Sequence, residues 1–551
     1  MGEVMPATTK ATGANGATKA VYYNMDGTPF DEIAPLVGNR RIIVASNRGP
    51  VEFYQHATGR LTTRRGSGGV VTALAALAQN LPITWIAATM SAADREAFPD
   101  ANTPARTVRL GRQPLRVRYV NVPQDVYTLH YDRISNELLW FLQHYLWDTA
   151  NTPNFTEEYY HAWEQGYRQV NYAIAQAIVD EALASAPQTP AGRRRPNDGS
   201  DVIILLQDYH LYLAPRFIRE RLPRATIQQF VHIPWPSVRY WQFLPERFLI
   251  EIMEGVAAND VLGFQTPLDA RNFLSCCHAL LPGSRIDVDQ GRLIRRRHKL
   301  LARAYPITID ADEVQKTLRS AAGRAGAHEI AELAQDEQPV IVRVDRLEPT
   351  KNIVRGLLAY EELLRHHPEL HGQVQHLVFL VPSRQSLDTY QKYDKAVRRH
   401  IRRINRHYGT PGWKPIQAFF ENNRARALAA MRRADVLLVN PIMDGMNLVA
   451  KEGAIANDRD GVIILSRTAG AFQEMKQAVL AVTPTDIEET ADQLYEAIVM
   501  SSAERRHLAA LAREIVERSS LTRWIHDQVA DAARVHGTPT TSPHHTLSRA
   551  G

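Results

Sequence analysis

Two stretches of this chain join charged side chains to backbone suited to an anion. "MDGMNLVAKE" (443–452) follows the apolar run "DVLLVNP" (435–441), leaves it through Asp444 and Gly445, and opens a helix near Gly445–Met446. The first N–H groups of a helix lack intrahelical acceptors, and the helix dipole adds partial positive charge, so such a start receives anions. Glu452 lies four residues, one helical turn, beyond Leu448, where a carboxylate can grip the paired hydroxyls of a ribose. "RVDRLEPTKN" (343–352) places Arg346 and Lys351 five apart across a turn that contains Pro349. One planar fork and one compact ammonium converging there suit a pyrophosphate.

"QDYH" and "VHIPWP" add Asp208, His210 and His232. "RRGSGGVVTAL" (64–74) is a glycine-rich turn before a helix, which lets a ligand approach the backbone. It completes neither GxGxxG nor a P-loop. Taken singly, each stretch has a plainer reading: a turn aspartate, surface cations, a core histidine. No HExxH, paired cysteines or carboxylate cluster at ligand spacing points to a metal, and no GxSxG elbow is present.

The elements that must position these residues are short β-branched runs alternating with longer helical patterns. That alternation predicts α/β architecture, with parallel sheets covered by helices on both faces. One set comprises "RIIVASN" (41–47), "ITWIA" (83–87), "DVIILLQ" (201–207), "TIQQFVHIP" (226–234) and "DVLGFQ" (260–265). The other comprises "PVIVRVDR" (339–346), "QHLVFLVPS" (375–383), "DVLLVNP", "GVIILS" (461–466) and "AVLAVTP" (478–484), with Thr485 and Glu488 as a capping box for the next helix. Two doubly wound domains are expected, over 39–305 and 306–520, followed by a terminal helix over 521–535 that crosses back. Residues 1–38 and 536–551 read as disordered tails, and 185–201 as a surface loop. Ligands of such sheets bind beyond the carboxyl ends of the strands. "SNRGP", "QDYH", "HIPWP", "DRLEPTKN", "PSRQS" and "MDGMN" all lie there.

At 551 residues, 44% apolar and 23% charged, the chain is ordinary for a globular protein of two or more domains. It has no membrane-length apolar run and no secretory signal core. Its net charge of +6 is mild, and the basic clusters, such as 395–409, lack the aromatic interleaving of a nucleic-acid surface. The only cysteines, Cys276 and Cys277, are neighbours, which fits a reducing cytoplasm. Nothing decides between a monomer and a homo-oligomer.

Together these stretches resemble the trehalose-6-phosphate synthases, over about residues 40–530 and in the same order. The resemblance implies two facing Rossmann-like domains (the GT-B architecture) and a retaining glycosyltransferase. Such an enzyme passes glucose from a nucleoside-diphosphate glucose (UDP-glucose or GDP-glucose) to glucose 6-phosphate, with no cofactor or metal. By the same resemblance, Arg346, Lys351, His232 and Asp208 carry the chemistry. Gly69, Asp444, Gly445, Met446, Asn447, Leu448, Val449 and Glu452 bind the donor. Arg48, Tyr131, Trp140 and Arg384 bind the acceptor. His232 and Asp444 hold hydroxyls of the donor sugar, and Asp208 those of the acceptor.

Departures from the common pattern are Glu348 and Asn352 in place of Asp and Gly, and Phe141 in place of Pro. Trp235 and Arg239 fall in a stretch that is more often Phe-Pro-rich, and Asn422 stands near a position where an aromatic holds the base. Several of these are similar to validoxylamine 7′-phosphate synthase, which joins cyclitols, so that activity or a different phosphorylated acceptor is the alternative. A dinucleotide-dependent oxidoreductase is disfavoured by the incomplete glycine fingerprint. The base stays open among uracil, guanine and adenine.

Overall fold

The computed structural model describes residues 33–535 apart from 57–58, 67–70, 72–73, 75–76, 78–80, 101–102, 111–112, 185–197 and 334–337. Gly69 and most of the 185–201 loop therefore lie outside the described residues, as do 1–32 and 536–551.

The Ile-, Val- and Leu-rich runs become strands buried on both faces, as parallel sheets between helical layers require. In chain order the first half gives β1 (Arg41–Ser46), β2 (Val51–Gln55), β3 (Leu61–Arg65), β4 (Ile83–Ala88), β5 (Arg106–Leu110) and β6 (Gln113–Val120). It continues with β7 (Val202–Gln207), β8 (Thr226–Phe230), β9 (Val261–Phe264), β10 (Ser284–Asp287), β11 (Arg292–Arg295) and β12 (His298–Ala304). All but the β2–β3 hairpin join one sheet, ordered β10-β11-β12-β9-β8-β7-β1-β4-β6-β5. From β12 to β6 the neighbours are parallel.

The second half gives β13 (Val340–Leu347), β14 (Gln375–Pro382), β15 (Ile416–Phe419), β16 (Val436–Val439), β17 (Val462–Ser466) and β18 (Leu480–Val482). They form an all-parallel sheet ordered β15-β14-β13-β16-β17-β18. Strand order reverses between β1 and β7 in one sheet and between β13 and β16 in the other. Crevices for ligands open at such reversals.

Chain 305–310 links β12 to the helix Ala311–Arg319 of the second half. The last helix, Leu521–Val535, packs on β8 and β9 of the first sheet. Trp524 Nε1 donates to the Tyr305 carbonyl at 3.0 Å, and Gln228 Nε2 to Gln528 Oε1 at 2.8 Å. The halves are thus joined by the 305–310 link and by the returning last helix.

Two local expectations need correction. Residues 33–37, assigned to a disordered tail, form a helical turn, Ile33–Val37, whose Ile33 and Val37 are buried against the last helix. The helix Ile487–Val499 is capped by Asp486, which accepts from Glu489 N, rather than by Thr485. A carboxylate at the N-cap adds charge complementary to the helix dipole, which a threonine hydroxyl lacks.

One helix departs from regular geometry. After Gln124–Thr128 it widens to a π-helix over Leu129–Leu139, then tightens again over Trp140–Gln143. Nine residues in an α-helix span two and a half turns, which would aim Tyr131 and Trp140 at opposite sides. A π-turn holds about 4.4 residues, so the same nine make close to two turns and share a face.

Candidate functional site

β13 carries Arg346 next to its last residue, Leu347, and runs into a single 3₁₀ turn, Pro349–Lys351, whose tightness brings Lys351 back over the strand end. Buried Arg343 of β13 reinforces the turn by donating to the Lys351 carbonyl and, at 2.7 Å, to Asn440 Oδ1. The turn closes on Asn352 at φ 55°, in the left-handed region that asparagine tolerates best after glycine. Its side chain also donates to the carbonyls of Asn440 (3.0 Å) and Pro484 (2.6 Å), which glycine could not do.

Lys351 forms an ion pair with Asp444, and Asn447 Nδ2 adds 3.1 Å to the same carboxylate. Burial pushes the Asp444 pKa up, but Lys351, His144 and Arg346 outweigh it and hold the carboxyl below its ordinary value. The helix opens at Leu448 (Leu448–Ala456), not at Gly445–Met446. Asp444–Asn447 instead form an irregular passage, because Asp444 pairs in register with Ala469 and Ala471 N takes the Met446 carbonyl. Asn447, at φ 71°, caps without its side chain, so the first amides keep no side-chain acceptor. Glu452 meets Arg424 at 2.9 Å; burial raises its pKa against that pairing.

The acceptor-side residues come from both halves. Arg384 follows β14 at φ 43°, almost covered, with Nη1 donating to Tyr390 Oη at 2.6 Å and to Glu348 Oε2 at 3.2 Å. Arg346 Nη2 reaches the other oxygen, Glu348 Oε1, at 3.0 Å. Both guanidiniums lie over the Trp140 indole, at 4.2 Å for Arg384 and 5.3 Å for Arg346, within cation–π range. Trp140 Nε1 is buried with no partner among the described residues, a donor open to a ligand oxygen.

Tyr131, from the same wide helix, stacks on Tyr127 and His210 at 5.4 and 5.8 Å. Burial raises its pKa, yet Arg384 and Arg48 together bring it below the usual value. Arg48, exposed beyond β1, and Arg384 therefore both act on one tyrosine, although 336 positions separate them in sequence (384 − 48).

Asp208 follows β7 at φ 72° and ψ 176°, a region nearly reserved for glycine, at a cost on the order of 1–3 kcal/mol. Its amide donates to Phe230 O at 2.7 Å, and its Oδ1 accepts from His232 N at 3.2 Å. Burial pushes its carboxyl up to about 7. His232 lies 3.0 Å from Gln207 Oε1, and burial lowers its pKa to about 3, so the ring is neutral. Gly445 presses on it from the other half: a Cβ there would lie 2.0 Å from the His232 carbonyl oxygen. Gly470 backs Gly445 just as closely: a Cβ on Gly470 would lie 1.8 Å from the Gly445 carbonyl oxygen.

Arg346, Lys351, Asp444 and Asn447 are thus joined to Arg384, Trp140 and Tyr131 through Glu348 and the indole. Asp208 and His232 face them across the Gly445 contact, and Glu452 sits further along, with Arg424. Sequence reasoning missed Tyr390, Tyr209, His144 and Arg424 as wall residues. His144 Nδ1 lies 2.8 Å from the Trp140 carbonyl oxygen, and burial brings its pKa down to about 4. Its position four residues after Trp140 was the available signal. Phe141 packs edge-on to Tyr390 at 6.1 Å, and Trp235 is enclosed by Trp241, Phe264 and Phe273. Arg239 and Asn422 are exposed.

The model of glycosyltransferase family 20 matches residues 40–534. This chain belongs to that family. It is 32% identical over 488 residues to an alpha,alpha-trehalose-phosphate synthase [UDP-forming] of Schizosaccharomyces pombe, covering 86% of this chain and 88% of that one. A longer relative of that name in Dictyostelium discoideum is 29% identical, and the alignment spans 61% of its length and 88% of this chain. Among solved structures, an E. coli protein bound with UDP-2-fluoro glucose gives a TM-score of 0.75 at 27% identity, covering 90% of this chain and 99% of that one. One from Burkholderia xenovorans in complex with glucose-6-phosphate gives 0.71 at 27% identity, covering 89% and 99%. The fold is GT-B, two Rossmann-like domains, and the protein is a glycosyltransferase of the trehalose-phosphate synthase kind. No helix among the described residues is long and apolar enough to cross a membrane.

Proposed function

We propose that this chain transfers glucose from UDP-glucose to glucose 6-phosphate, with retention of configuration, and releases α,α-trehalose 6-phosphate and UDP in the cytoplasm. The observation that carries this reading is the shared carboxylate Glu348, which holds Arg346 beside Arg384 on the Trp140 face. Two anion-seeking guanidiniums so close suit a donor diphosphate and an acceptor phosphate held side by side. The [UDP-forming] relatives favour uracil as the base.

The mechanism follows from charge. The bond from glucose C1 to the diphosphate oxygen breaks, and its electron pair leaves with the diphosphate. Arg346, Lys351 and the amides at Leu448 stabilise that growing charge; one such preorganised donor is worth about 2.7–4 kcal/mol. The acceptor hydroxyl bonds to C1 on the face just vacated, and its proton passes to the departing phosphate oxygen. Asp208 orients that hydroxyl, and the neutral His232 turns to the donor sugar. No protein nucleophile and no metal take part, since side chains and helix start supply the positive charge. Closure of the cleft keeps water from the oxocarbenium-like state.

The test is product identification. Incubation of UDP-glucose with glucose 6-phosphate should yield a product whose NMR spectrum shows two α-anomeric protons in a 1,1 linkage. Activity should persist in excess EDTA. A β-linked product, or activity that EDTA abolishes and magnesium restores, would count against this chemistry.

A further inference from the structure

Glu348 sits between the two arginines of the site. Its side chain has no solvent exposure, and each carboxylate oxygen has its own guanidinium: Oε1 takes Arg346 at 3.0 Å and Oε2 takes Arg384 at 3.2 Å. Thr350 Oγ1 adds 3.0 Å to Oε1, fixing the rotation of the group. The backbone is fixed too, since Glu348 N donates to Arg346 O at 2.9 Å and Lys351 N to Glu348 O at 3.1 Å. Burial pushes the carboxyl up, but Arg346, Arg384 and Lys351 hold it below its ordinary value, so the bridge stays charged at working pH.

A buried carboxylate satisfied this fully by two cations is expensive to desolvate and stable only with both partners present. Without it, two guanidiniums over one indole would repel each other and lose their fixed directions. An aspartate side chain is shorter by one methylene, about 1.5 Å, so from the same backbone it keeps the charge but reaches the two partners less well.

We propose that Glu348 is a positioning residue that sets the spacing of Arg346 and Arg384, so that donor diphosphate and acceptor phosphate are gripped as one unit. The proposal deepens the substrate reading above and rests on it. Glu348 acts through the arginines rather than on substrate. Its loss should therefore harm both binding events at once, whereas loss of Arg384 harms the acceptor and loss of Arg346 the donor.

The experiment is calorimetric titration of E348Q and wild-type protein with UDP and, separately, with glucose 6-phosphate, with thermal melts as a fold control. E348Q keeps the shape but leaves both arginines without their charged partner and turns an amide N–H towards one of them. Both dissociation constants should rise together, by about 10- to 100-fold each, the worth of a charge-assisted contact. In an R384A background, E348Q should still weaken UDP but add little further loss for glucose 6-phosphate. Should E348Q fail to fold, E348D carries the test, with a smaller rise expected in both constants. Wild-type protein that binds neither ligand overturns the substrate reading and this inference with it. Wild-type protein that binds both, beside a folded variant that binds both as tightly or loses only one, overturns the role of Glu348 alone.

Discussion

Asp208 combines a strained backbone with a carboxyl whose burial resists ionisation. A charged carboxylate accepts a hydrogen bond from an acceptor hydroxyl more strongly than the neutral acid does, and burial pushes the Asp208 pKa up to about 7. The expected profile of kcat/KM for the acceptor therefore rises with pH through about 7, and D208N should flatten it and lower the plateau. His232 cannot contribute to that rise, because burial keeps its ring neutral down to about pH 3. The sign for stability is opposite. A carboxyl with a raised folded-state pKa stabilises the fold most below its unfolded value, roughly pH 4, and loses that contribution as pH climbs through about 7. Melting temperature against pH should show this slope between 4 and 7, less steep in D208N. At this scale the sequence was partly legible. Arg346 and Lys351 stood out because strand, turn and charge coincide in one stretch. Glu348 stood out only as an odd residue, since its bridge to Arg384 depends on two strands aligned in space. Tyr390 gave no signal, being one of three tyrosines in a basic helix, Asp388–Tyr408.

Elements decide which of those residues can meet. The alternation of apolar runs with helical patterns located the central strands well, because burial on both faces leaves a plain composition. It could not reveal the wide turns of Leu129–Leu139, which bring Tyr131 and Trp140 to Arg384 together. Periodicity read at 3.6 residues per turn sends them apart. Nor could it place the start of the Leu448 helix, delayed by the Asp444–Ala469 bridge that pairs residues 25 positions apart (469 − 444). The passage before that helix gives a second expectation. G445A would put a methyl carbon 2.0 Å from the His232 carbonyl oxygen, while Gly470 blocks retreat from behind. The loop must then shift by an ångström or so, a displacement that can cost about 10²-fold in rate. Steady-state kinetics of G445A should show kcat/KM lower by that order, with a lowered melting temperature beside it, since the methyl group meets backbone rather than a flexible side chain. Unaltered kinetics would mean that the two loops do not meet in the working enzyme.

At the scale of the molecule, each of the two sheets, one of ten strands and one of six, offers a crevice at its own strand-order reversal. The number of domains was legible because each half repeats the same alternation. A terminal helix crossing back was expected, but its individual ties were not legible, since they run through single contacts such as Trp524 to Tyr305 and through Ile33–Val37, a turn too short to show a period. The function proposed for this arrangement depends on the two halves acting on the substrates together. Arg48 and Arg384 come from opposite halves yet both bear on Tyr131. An acceptor phosphate should engage both, and an acceptor without one should leave the buried Arg384 guanidinium without that charge-assisted contact. The most direct measurement is the ratio of kcat/KM for glucose 6-phosphate to that for glucose, in wild-type protein and in R384A, with UDP-glucose as donor. The account predicts a wild-type preference of roughly 10⁴-fold, as for other sites that lose a buried polar partner, which R384A narrows chiefly by harming the phosphorylated acceptor. Equal use of glucose and glucose 6-phosphate by the wild-type enzyme would contradict it.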